Sequence, residues 1–147
     1  MRVLALDYGS ARCGCALSDP SGTIVTPIEE VERPATRRGL ARLRALAEER
    51  EAALVLVGLP LSLDGGESEQ TRETREFAQR LAESLGERIP VELYDERFTT
   101  RLAQRSAQGA GAARTSEDSR AAAHLLESWL AARSHDDAFG SDSGRSR

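Results

Sequence analysis

Val3-Leu4-Ala5-Leu6-Asp7-Tyr8-Gly9 is the stretch that decides the reading of this chain. A short apolar run ends in a carboxylate. After a turn tight enough to need Gly9 comes a second run, Cys13-Gly14-Cys15-Ala16-Leu17-Ser18-Asp19. The two runs predict a β-hairpin, with Asp7 at the carboxyl end of its first strand, where α/β folds place their ligands. A lone Asp there either holds a metal ion or positions a phosphate.

Working outward, Asp19-Pro20-Ser21-Gly22 reads as a turn and Thr23 to Glu30 as a third antiparallel strand. Thr36 is a plausible N-cap for a helix to about Arg50, with Leu40, Leu43, Leu46 and Ala47 at helical spacing. Ala53-Leu54-Val55-Leu56-Val57 is continuously apolar, which predicts a central strand covered on both faces. A second helix is expected over Glu69 to Leu85, a fifth strand over Pro90 to Glu96 and a short helix from Thr99 to about Gln108. After Gly109 to Ala113 the last helix is expected over Glu117 to Arg133. The sum is an α/β domain: a mixed five-stranded sheet with helices on both faces, over residues 1–133. Residues 134–147 have the composition of a disordered tail.

The chain of 147 residues is long enough for one well-filled core. No apolar run approaches membrane-spanning length and no secretion signal is visible, so a cytoplasmic protein is expected. Cys13 and Cys15 stand too close in sequence for an unstrained disulfide, and no further Cys exists to complete a zinc site. They are expected in the core. Every basic residue is Arg, and the net charge of −4 argues against a general nucleic-acid coat protein. It leaves room for an enzyme that meets nucleic acid through a local patch and divalent cations.

Acids other than Asp7 point the same way. Asp95-Glu96 closes the fifth strand, which runs parallel to the first if the crossover between them is right-handed. At ~100° per residue, Asp118, Ala122, Leu125 and Trp129 share one face of the last helix. Asp118 therefore heads the face that packs inward, where a carboxylate is costly without a cation or donors. Acids gathered at one rim of a sheet favour a site for Mg²⁺ or Mn²⁺. Two such ions about 4 Å apart can activate water and stabilise the leaving oxygen in phosphodiester cleavage. His124 lies off the inner face and is expected at the surface. Arg37, Arg38, Arg42 and Arg44 are read as solvated.

At this point the motifs are recognisable. Leu6-Asp7-Tyr8-Gly9 with Arg12 and Gly14, Ala16-Leu17-Ser18-Asp19, Val57-Gly58-Leu59-Pro60-Leu61, Asp64-Gly65, Asp95-Glu96-Arg97 with Thr99-Thr100, and Asp118 with Ala121-Ala122 and Leu125-Leu126 occur in order. In these the chain resembles the bacterial YqgF family, also called RuvX-type or Holliday-junction-resolvase-like. The resemblance implies an RNase H-like fold and a metal-dependent nuclease with Asp7, Glu96 and Asp118 as catalytic and metal-binding acids. Between Asp95 and Glu96, strand alternation alone does not choose; the family pattern favours Glu96. Arg12, Arg97, Arg101 and Thr99 are the expected substrate contacts, with Arg105 one turn beyond Arg101.

The implied substrate is precursor 16S ribosomal RNA, cut in 5′-end maturation, with ribosomal particles as partners. The alternative is branched four-way DNA. The chain departs from the family at Ala11, where a basic residue is usual, and in the linker before the last helix, where Arg114 stands alone. A monomer or weak dimer is expected. Two rival readings remain. An ATP-handling protein of the actin and sugar-kinase type would need a second such subdomain. A non-catalytic ribosome-assembly module would bind without cutting.

Overall fold

The computed structural model describes residues 1–99 and 116–145, with side chains as far as 134. The strands are β1 (Val3–Asp7), β2 (Arg12–Ser18), β3 (Val25–Glu32), β4 (Leu54–Leu59) and β5 (Val91–Asp95). The helices are α1 (Arg37–Glu49), α2 (Glu69–Leu85) and α3 (Glu117–Arg145). One sheet of five strands has the order β3-β2-β1-β4-β5. β2 is antiparallel to β1 and β3, whereas β4 and β5 run parallel to β1. The mixed sheet expected from the sequence is the observed one.

The two faces of the sheet are served by alternate residues of the same strand. Leu4 and Leu6 join the core under α1 and α2, with Cys13, Cys15, Leu43, Leu46 and Phe77. Val3 and Ala5 join the core under α3, with Leu56, Ala122, Leu126 and Trp129. Period two then assigns Asp7, with Val3 and Ala5, to the α3 face. Both cysteines are free and buried, as expected of small core residues.

β3 begins two residues later than Thr23 because the Asp19 carboxylate accepts hydrogen bonds from Thr23 N (2.8 Å) and Ile24 N (2.9 Å). Those two residues close the hairpin instead of extending the strand. β3 also runs past Glu30, because Glu32 pairs with Arg12. β5 ends at Asp95, and Glu96–Phe98 turn in a short 3₁₀ helix. The backbone of α3 runs on to Arg145, beyond the expected end at Arg133. Residues 131–134 are exposed, so the part of α3 packed on the sheet ends with Leu130. The short helix expected from Thr99 to Gln108, with Arg101 and Arg105, lies outside the described residues, as do Gly109 to Ala113 and Arg114. No described helix is long and apolar enough to cross a membrane.

Candidate functional site

Asp7 and Glu96 meet at one edge of the sheet, with Asp118 near enough to act on Asp7, and the surrounding residues show why. Gly14 is the strand partner of Asp7 and lies beneath the first turn of α3. A β-carbon there would meet the Asp118 carbonyl oxygen at 1.9 Å. The bare backbone lets the helix end settle onto β2. The register shift between Cys13 and Cys15 marks an irregularity at the same point. There Cys15 N–H is donated to Ser119 Oγ (3.2 Å), while the Ser119 hydroxyl donates to Ile28 O (2.7 Å). Buried Ser119 thus pins α3 across two strands, and its neighbour Asp118 faces Asp7.

Glu96 arrives from the other side. Alternation along β5 puts Glu96 with Tyr94 on the α3 face that Asp7 shares, and turns Asp95 to the other face. Gly58 leaves the room it needs: a β-carbon there would lie 2.9 Å from Glu96 Oε1 and 3.0 Å from Leu125 Cδ2. Asp95 has a different place. Arg97 grips both its carboxylate oxygens, with Nη2 to Oδ2 at 2.6 Å and Nε to Oδ1 at 3.1 Å. This contact holds the Asp95 carboxyl below its ordinary range.

Burial and repulsion act together on the central pair. Burial, then the adjacent Glu96 carboxylate, raise the Asp7 carboxyl from 3.8 to about 7, with a smaller push from Asp118. Burial also raises Glu96, and Asp95 adds to the shift, while its hydrogen bond with Asp7 opposes it. Both effects favour the protonated form of the pair, most of all at Asp7. Asp118 is further out: its Oδ2 lies 3.5 Å from Arg12 Nε, and the two side chains are 42% and 59% exposed.

A cleft of about 240 Å³ opens over the pair, lined by Asp7, Glu96, Thr99, Ala121, His124 and Leu125. Thr99 is half-buried in this wall, its N–H donated to Glu96 O (3.0 Å). His124 is a correction. It is half-buried in the wall of the acidic cleft, and its Nδ1 has no hydrogen-bond partner among the described residues. An inner stripe centred on Asp118 misses it, because the cleft lies on the shoulder of α3 formed by Ala121, His124 and Leu125. The i, i+3 step from Ala121 was the available signal.

Arg97 differs from the expected open substrate contact. Besides Asp95 it donates from Nη1 to Leu63 O (3.2 Å), so its guanidinium ties the 61–66 loop to the turn that carries Glu96. Arg12 is at the mouth of the site, but on Asp118. Among the described residues, no three Asp, Glu, His or Cys side chains are already gathered as a metal cluster. The donor set nonetheless fits a hard cation. Asp7 and Glu96 offer neighbouring carboxylates at the floor of the cleft, and Asp118 would complete the set only by leaving Arg12.

Comparison with known proteins agrees with this geometry. The family described as "RuvX: Holliday junction resolvase" matches residues 1–132. A Mycobacterium tuberculosis protein named as a candidate pre-16S rRNA nuclease is 44% identical over 137 residues, covering 88% of this chain and 78% of its own. A Myxococcus xanthus protein with the same name is 39% identical over 134 residues, covering 88% of this chain and 87% of its own. Among solved structures, RuvC of Thermus thermophilus in complex with a Holliday junction superposes with a TM-score of 0.67 at 16% identity, covering 92% of this chain and 96% of its own. The fowlpox virus resolvase with its junction DNA gives 0.57 at 8% identity, covering 90% and 98%. These two likenesses bear on the fold, which is the resolvase branch of the RNase H-like architecture. On its sequence match over nearly the whole chain, the protein belongs to the RuvX family.

Proposed function

We propose that this chain is a nuclease dependent on Mg²⁺ or Mn²⁺ that hydrolyses phosphodiester bonds in precursor 16S ribosomal RNA during maturation of its 5′ end, in the cytoplasm and on ribosomal particles. The observation that carries the reading is the Asp7–Glu96 pair at the floor of an open cleft, where burial and then the Glu96 carboxylate raise Asp7 to about 7. Two acids forced together in this way are costly for folding and are characteristic of sites that bind cations or move protons. The names of the relatives support the substrate.

Asp7 and Glu96 would hold the cation, with Asp118 completing the set. When bound, a divalent ion supplies Lewis-acid stabilisation of charge on the phosphoryl oxygens and lowers the pKa of water. The chain's own residues do the rest. Leu125 and Ala121 narrow the cleft and limit water, Thr99 and His124 present polar groups to the scissile phosphate, and Arg12 offers a guanidinium at the entrance.

The family's description favours a second reading, resolution of four-way DNA. Two symmetric cuts would then need two copies of the site. The test is cleavage of a labelled 16S-precursor leader and of a four-way DNA junction with Mg²⁺ or Mn²⁺, wild type beside Asp7→Asn. Leader cutting that falls roughly 100-fold or more in the variant supports the proposal. Cutting of the junction alone supports the second reading. If neither is cut, even on ribosomal particles, the nuclease reading is wrong and a binding module takes its place.

A further inference from the structure

β3 runs in the same sense as β1, since both are antiparallel to β2, so their carboxyl ends share one edge of the sheet. Moving along that edge away from Asp7, β2 contributes Arg12, and β3 ends in Glu32, the partner of Arg12, followed by Arg33. Arg33 lies two strands across (~4.8 Å each) and three residues along (~3.3 Å each) from Asp7, which puts the two backbones roughly 14 Å apart.

The turn at Arg33 is firmly built. Its φ of 44° is in the left-handed region that side chains other than Gly, Asn and Asp avoid. Three contacts impose it. Arg33 N–H is donated to Ala11 O (2.9 Å), and Arg33 O accepts from Thr36 N (3.1 Å) and Thr36 Oγ1 (2.7 Å). Gly39 packs under the same carbonyl so closely that a β-carbon would lie 2.1 Å from it. Strain held this tightly by its surroundings is typical of ligand clamps. Here it presents an exposed guanidinium beside the Gly9–Arg12 turn.

Arg37 and Arg38 follow in the first turn of α1, both exposed, with no acid in that turn. Glu30 and Glu32 line the adjoining groove with Arg33 and Arg38, and Glu29 holds Arg42 and Arg50. Arg33, Arg37 and Arg38 have no carboxylate partner among the described residues.

We propose that Arg33, Arg37 and Arg38 form a track for the phosphates of a single-stranded RNA flank, leading away from the acidic cleft along the sheet edge past Arg12. The proposal rests on the nuclease reading and gives its substrate a path. Arg33 and Arg38 line one groove and Arg37 the next, so the cations flank the first turn of α1, which one phosphate chain can cross.

The experiment is fluorescence anisotropy of a labelled single-stranded 16S-precursor leader with the full chain in EDTA, across a salt series. Each arginine removed should lower the slope of log Kd against log salt by about 0.7. Arg37→Gln/Arg38→Gln should lower it by about 1.4, and adding Arg33→Gln by about 2 in all. Because Arg33 sits in a strained turn, the double variant keeps the test clear of folding defects. Arg88→Gln/Arg133→Gln, exposed at the opposite edge of the sheet, should leave the slope unchanged. A triple variant with the wild-type slope overturns the track while leader cleavage by wild type leaves the nuclease reading standing. An equal loss in the Arg88/Arg133 control overturns it too, since the effect is then general charge. Arginine-dependent binding confined to four-way DNA overturns the single-strand assignment. Wild type that neither binds nor cuts the leader overturns both proposals.

Discussion

Gly14 and Asp118 touch backbone to backbone: a single added carbon on Gly14 would lie 2.0 Å from the Asp118 carbonyl carbon and 2.5 Å from Ser119 N. The neighbours are main chain, so nothing can swing aside. Gly14→Ala should therefore push the first turn of α3 off β2, costing about 1–3 kcal/mol in stability as an overpacked contact. Activity should fall further than stability accounts for, because Asp118 moves with the helix. Urea unfolding and cleavage rates measured side by side check this; an Ala variant with wild-type activity would show that the close approach has no part in placing Asp118.

The Asp7 carboxyl carries a pH signature. Its folded pKa of about 7 lies above the ordinary 3.8, so the folded protein binds that proton more tightly than the unfolded chain. The associated stability is fully present below about pH 4 and is lost as pH rises through about 7. In EDTA, the melting temperature should fall between about pH 4 and about pH 7, and Asp7→Asn should flatten that fall. Mg²⁺ or Mn²⁺ added at pH 8 should raise the melting temperature of wild type more than that of Asp7→Asn. Identical pH slopes in the two proteins would contradict the buried acid pair.

Arg97 is predicted to act through Glu96 more than through substrate. Its guanidinium bridges Asp95 and Leu63 O, so Arg97→Gln should loosen the turn bearing Glu96 and lower kcat roughly 10-fold or more. The salt slope of RNA binding should stay as in wild type. A slope lowered by about 0.7 would mean that Arg97 meets a phosphate after all.

Ser119 is buried and joins Cys15 N to Ile28 O. Ser119→Ala leaves both groups without that partner, at a cost of about 1–3 kcal/mol. Ser119→Cys, which keeps a weak donor and acceptor, should lose less. Equal loss in the two variants would point to packing alone.

Much of this was legible in the chain because the signals were periodic. Continuous apolar residues from Ala53 to Val57 marked the middle of the sheet, and the spacing from Asp118 to Trp129 marked the inner face of α3. What escaped was local. The choice between Asp95 and Glu96 turned on which face of β5 the last helix covers, which alternation by itself does not reveal. His124 fell outside a stripe drawn around Asp118, because a cleft on the shoulder of a helix has no period of its own. Arg97 read as an open cation, since a bidentate grip on the residue two places earlier leaves no mark in composition. Ser119 had no motif, because its partners Cys15 and Ile28 lie on strands far away in sequence.

In the free protein Arg12 rests on Asp118, so one guanidinium neutralises the acid that a cation would claim. A cation that takes Asp118 sets Arg12 loose at the cleft mouth, ready for an incoming phosphate. By reciprocity, a phosphate that draws Arg12 away bares Asp118 for the cation by the same free energy. Ion and nucleic acid would thus recruit each other, and neither alone would assemble the working site.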